Sequence, residues 1–88
     1  MSHLSYNQLA DSLQNIYSQI PLDSHRFHYK NPTIIYTIVD IVIDEATDTP
    51  AVIYQKLWDT QNIKFVRLAS IFLELVGDQQ RFQYIKTL

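Results

Sequence analysis

Between Leu9 and Ile20, apolar residues recur at Leu9, Leu13, Ile16 and Ile20, in steps of four, three and four. That spacing lays one apolar stripe along a helix, with Asp11, Gln14, Asn15 and Ser18 on the opposite side. Ser5 followed three positions later by Gln8 has the form of a capping box, in which the two side chains serve the free backbone groups of a helix start. Pro21 stops the helix near Ser18 or Gln19. The stripe is expected to pack on the rest of the chain, because a domain this small needs the added core; docking on a second copy is the alternative use.

After Pro21 the period changes from helical to alternating. Arg26–Lys30 is a short strand pattern followed by a turn at Asn31-Pro32, and residues 33–43 are rich in β-branched side chains. In that second run both alternating sets are apolar: Ile35, Val39, Ile41 and Ile43 in one, Tyr36, Ile38 and Val42 in the other. Burial on both faces is expected, with the helix covering the outside, and Asp40 breaks the pattern where a bulge or sheet edge fits. Asp44–Pro50 is a polar hairpin loop; its acids lack the spacing and central Gly of a calcium-binding loop. Further strands are expected over Ala51–Trp58, Ile63–Arg67 and Arg81–Ile85, with turns at Asp59–Asn62 and Gly77-Asp78. Phe65–Val76 organises the whole: a strand, a tight helical turn at Leu68-Ala69-Ser70, then a further turn or strand, with Arg67 near its start and Glu74 near its end.

These elements predict a mainly β fold with one N-terminal α-helix: a single domain over 1–88, with the helix in 1–21 and a small, SH3-like antiparallel barrel in 22–88. Composition narrows the class. The 88 residues are 47% apolar, too many for a disordered chain. There are no cysteines, which excludes disulfides, a thiol nucleophile and thiolate metal sites and agrees with a reducing compartment. The start carries no leader pattern, and no apolar run is long enough to cross a bilayer, so a cytoplasmic protein with no membrane partner is expected. A net charge of -2 argues against a general nucleic-acid binder.

Several motifs in the alternating region resemble the bacterial family catalogued as domain of unknown function 1653. They are His28-Tyr29-Lys30, Tyr36-Thr37-Ile38, Thr47 ahead of Val52-Ile53-Tyr54, Phe65-Val66-Arg67 with Phe72 beyond, and Arg81-Phe82 with Ile85. The resemblance covers about residues 25–85 and implies an SH3-type barrel; it implies no reaction. Asn31 stands where that family has Gly, Leu68 where it has Pro, and Ala46 where it has an acid.

No catalytic motif stands out. Asp23-Ser24-His25 are chain neighbours, which cannot be aimed at one another as a relay requires. His25 and His28 fall on opposite sides of a strand and have no third ligand in pattern, so neither a metal site nor a cofactor is expected. The candidate binding residues are His28, Lys30, Tyr54, Trp58, Arg67 and Arg81. Arginines beside aromatic residues suit a carboxylate, a phosphate or an acidic peptide. The competing structural role has Arg67 paired with Glu74 or an Asp. Tyr29, Tyr36, Tyr54, Trp58, Phe65 and Tyr84 either line a groove or fill the core. The leading expectation is a binding or adaptor module for a protein, peptide or small anionic ligand. The alternative is a small enzyme with His28 as acid or base and Arg67 and Arg81 on an anionic substrate. Third is nucleic-acid binding, which needs Arg26, Lys30, Lys56, Lys64 and Arg81 on one face.

Overall fold

A computed structural model describes residues 4–85. Helix α1 spans Tyr6–Gln19, and its start carries the full capping box: the Ser5 hydroxyl accepts from the Gln8 amide, and the Gln8 side chain accepts from the Ser5 amide. The strands are β1 (His25–His28), β2 (Asn31–Asp44), β3 (Thr49–Lys56), β4 (Lys64–Leu68), β5 (Leu75–Val76), β6 (Gln79–Gln80) and β7 (Phe82–Ile85); a four-residue helix, α2 (Ala69–Phe72), follows β4. Five strands form one antiparallel sheet in the order β4-β3-β2-β1-β7, and β5 and β6 form a separate hairpin. The fold is thus mainly β with an N-terminal helix, as the pattern predicts. The expected barrel is not closed: β4 and β7, the sheet's two edges, form no ladder with each other.

The bulge in β2 resolves the double apolar pattern. Ile38 pairs with Tyr54 and Asp40 with Ile53, so Val39 is an extra residue with no partner on β3. An extra residue shifts the side-chain phase by one. Tyr36 and Ile38 before it, and Ile41 and Ile43 after it, therefore share the face of Val52 and Tyr54. The Asp40 carboxylate accepts the Ile41 amide at 2.8 Å and fastens the bulge. Burial on both faces is not needed to explain the run, and α1 covers the inner face of the sheet rather than its outside. Ile16 and Ile20 join Ile38, Ile41, Val52, Tyr54, Phe72 and Phe82 in one core, and the Tyr17 hydroxyl donates to the Ile41 carbonyl. The stripe of α1 thus packs within the chain, with Ile16 and Ile20 buried and Leu9 and Leu13 half-buried.

Two turns differ from expectation. The β1–β2 connection is Tyr29-Lys30, with His28 paired to Asn31, so Asn31-Pro32 opens β2 instead of forming the turn. Pro32 is tolerated there because β3 pairs with β2 only from Tyr36 onward. β3 stops at Lys56, and Trp58 sits in the following turn with φ 62° and is 86% exposed. That turn is set by Asp59, whose carboxylate accepts the Gln61 and Ile63 amides; these bonds hold its pKa below the ordinary carboxylate value. A left-handed backbone costs a non-glycine residue about 1–2 kcal/mol, and Trp58 has little packing to offset it. Trp58→Gly is therefore expected to raise stability by about 1 kcal/mol, read as a higher urea midpoint with an unchanged slope. A lower midpoint would show that the ring has contacts that matter.

Candidate functional site

α1 packs over one end of the sheet's inner face, beside Ile41. At the other end lies the Phe82 ring, itself only 2% exposed. Phe72 from α2 stacks on Phe82 at 4.2 Å with planes 8° apart, and the Arg67 guanidinium lies over the same ring, 5.4 Å from its centroid. Arg67 is aimed there by register: it pairs with Val52, and Phe65 pairs with Tyr54, so both point to the inner face of edge strand β4. His28, paired with Phe82 across β1 and β7, meets the same ring edge-on at 5.1 Å. Tyr36 stands perpendicular to Tyr54 and Phe65, at 5.3 and 6.3 Å, and completes an aromatic corner. Phe65 is 41% exposed, so this corner is open to solvent.

The charges converge on His28. Burial lowers its pKa below the ordinary histidine value, and the positive charges of Arg67, Arg81 and Lys30 lower it further. Its Nδ1 accepts the Lys30 amide at 3.2 Å, which assigns the neutral ring's proton to Nε2. Tyr54 moves the other way: burial raises its pKa, while the adjacent Arg67 guanidinium pulls it back. Arg81 holds Glu74 at 3.0 Å, and the chain closes that pair through the Arg81 amide, which donates to the Glu74 carbonyl. Glu74 is thus the partner of Arg81, and the expected pairing of Arg67 with Glu74 or an Asp does not form. Among the described residues Arg67 has no carboxylate partner.

Five of the six candidates, His28, Lys30, Tyr54, Arg67 and Arg81, therefore belong to one neighbourhood. Trp58 does not join them; it lines a separate cleft with Thr33, Ile34, Ile35, Lys56 and Leu57. Phe82, the ring on which Arg67 and His28 meet, was missed as a site residue, although its place beside Arg81 was a usable signal. The basic face proposed for nucleic acid loses one member. Arg26 is 4% exposed, donates to the Phe82 and Gln19 carbonyls at 3.2 and 3.0 Å, and lies against the rings of Phe72 and Tyr84. It ties the end of α1 to β7 and cannot reach a phosphate backbone.

The profile of the family described as protein of unknown function, DUF1653, matches residues 25–84. The chain belongs to the DUF1653 family. The match begins at β1 and ends within β7, so it takes in the five-stranded sheet except Ile85 and leaves out α1. Every residue of the open corner lies inside the DUF1653 match. No curated protein and no solved structure matches the chain.

The charge arrangement has a measurable sign. A histidine whose folded pKa is lowered stays neutral in both states above its ordinary value of about 6.5. As pH falls below that, the unfolded chain takes up the proton first, so the stability present at neutral pH is lost on acidification. In an NMR titration His28 is expected to protonate below the free imidazole value, and Arg67→Gln is expected to move it upward. Titration at or above the free value in the wild type would refute the convergence of charge.

Proposed function

We propose that this DUF1653 protein is a small, SH3-type binding module of the bacterial cytoplasm, and that the open corner around Phe82 recognises an anionic group. The observation that carries this reading is the meeting of Arg67 and His28 on the Phe82 ring, with no carboxylate opposite Arg67 among the described residues. A guanidinium held by an aromatic face and left without a protein anion is fitted to one from outside. His28 supports it as a donor: with Nδ1 engaged by Lys30, the ring offers an N–H at Nε2. The same bond counts against His28 as an acid or base. Protonating Nδ1 would set two donors against each other, and Nε2 of the neutral ring has no free pair.

The test is a titration of the 15N-labelled full chain with acetate, citrate and inorganic phosphate in turn, following the His28 ring signals. Binding of any one is expected to move them and to raise the apparent pKa of His28, since an added negative charge favours the imidazolium. Arg67→Gln should abolish the response, and Trp58→Gly should leave it intact. Silence of His28 towards all three anions would overturn the reading.

A further inference from the structure

The polar groups of the corner restrict which anion it suits, and this step rests on the anion-binding reading above. Arg81 is engaged by Glu74. The Lys30 ammonium lies over the Tyr29 ring, 5.8 Å from its centroid, at the rim. His28 contributes one neutral N–H. Of the two guanidiniums beside His28, Arg67 and Arg81, Arg67 alone has no ion-pair partner among the described residues, while Arg26 is buried on the Phe82 and Gln19 carbonyls. One planar guanidinium and one imidazole N–H match the two oxygens of a carboxylate. A phosphate dianion is ordinarily met by several charges or by the backbone amides of a sizeable helix N-terminus. The nearest helix, α2, has four residues, a buried first residue and no side-chain cap.

The surroundings of Arg67 specify the rest of the ligand. Phe65 presents 41% of its surface beside the half-buried Tyr36, whose ring stands at 90° to it and 86° to Tyr54. Perpendicular rings leave a corner rather than a flat platform. An apolar group joined to a carboxylate bound at Arg67 would lie in that corner and be removed from water.

We propose that the site takes a monocarboxylate borne on a bulky apolar body. Two sources share that chemistry: a free aryl-substituted acid, and the C-terminal residue of a peptide ending in a large apolar side chain.

The experiment uses the full labelled chain and follows the amides and rings of residues 28, 36, 65 and 67. The probes are N-acetylphenylalanine, its C-terminal amide, acetate, inorganic phosphate, and an acetylated Gly-rich pentapeptide ending in Phe as the free acid. N-acetylphenylalanine is expected to bind at least about tenfold more tightly than its amide or acetate, a difference of about 1.4 kcal/mol. A pentapeptide tighter than N-acetylphenylalanine would identify chain ends as the source. Equal or weaker binding would identify small acids, and either result supports the proposal. Arg67→Lys keeps the charge but loses the paired geometry, and about a tenfold weaker affinity is expected provided its melting curve is unchanged. Phosphate binding as tightly as N-acetylphenylalanine, or amide and acid binding alike, would overturn this inference and leave the anion-binding reading standing. No response to any probe would overturn both.

Discussion

A chain cut to begin at Leu22, and so lacking α1, is expected to lose cooperative unfolding. Ile20 is fully buried and Ile16 is 8% exposed, and each such side chain is worth about 1.5–3 kcal/mol in burial alone. The loss does not stop with hydrophobic area. Arg26 would be left with one of its two carbonyl partners, its Nε already having none. Burial disfavours its charge even in the intact protein, lowering its pKa, and only the nearby Tyr84 opposes this. A hydrogen bond from a charged group is worth about 1.5–3 kcal/mol. Against a total of about 5–15 kcal/mol for a domain, the two losses leave little or nothing. Far-UV circular dichroism during heating would check this, and a truncated chain that melts like the intact one would refute it. Arg26→Met in the truncated chain should recover part of the loss, because it removes the stranded charge and keeps an apolar stem.

Phe82→Ala is expected to cost about 3–5 kcal/mol, the range for removing a buried aromatic ring. The ring is 2% exposed and touches Phe72, Tyr54, Tyr36 and His28 as well as Arg67. Because β4 and β7 share no ladder, Arg67 on Phe82 is a direct contact between the two edges of the sheet. Phe82→Leu separates packing from the ring face: it is expected to cost less than about 1.5 kcal/mol while still releasing Arg67. Urea unfolding gives the stabilities, and anion titration of the leucine variant gives the consequence for the site. A leucine variant that binds as the wild type does would show that Arg67 needs no aromatic support.

The parts legible in the sequence were those where one local rule decides. The Ser5–Gln8 box and the apolar stripe located α1, ending at Gln19 just ahead of Pro21. The break at Asp40 located the bulge. What was not legible depended on which way a short strand faces. β1 has four residues, too few for alternation to say that Arg26 points inward. Arg67 and Glu74 look like partners because they share a stretch of chain. The turn of α2 and the β5–β6 hairpin instead bring Glu74 to Arg81. Trp58 carries a high strand propensity, but the two backbone hydrogen bonds to Asp59 turn the chain at that point. Of the site, the chemistry of His28, Lys30, Arg67 and Arg81 was legible from residue type. The meeting of His28 and Arg67 on Phe82 was not, because it depends on pairing between strands far apart in sequence.

Val39 is the one residue between Tyr36 and Asp44 with no partner on β3, so the strand carries a residue to spare at that point. It is half-buried, and exchanging it for another β-branched residue disturbs little. Deleting it would leave Ile38 opposite Tyr54, Asp40 opposite Ile53 and Ile41 opposite Val52, the pairs that already exist. Every side chain would keep its face, and only the extra twist of the bulge would be lost. Elsewhere the count is strict: a deletion within the continuous run 41–44 would turn the residues beyond it to the other face of the sheet. The position is thus permissive both in identity and to removal, whereas its continuous neighbours are not.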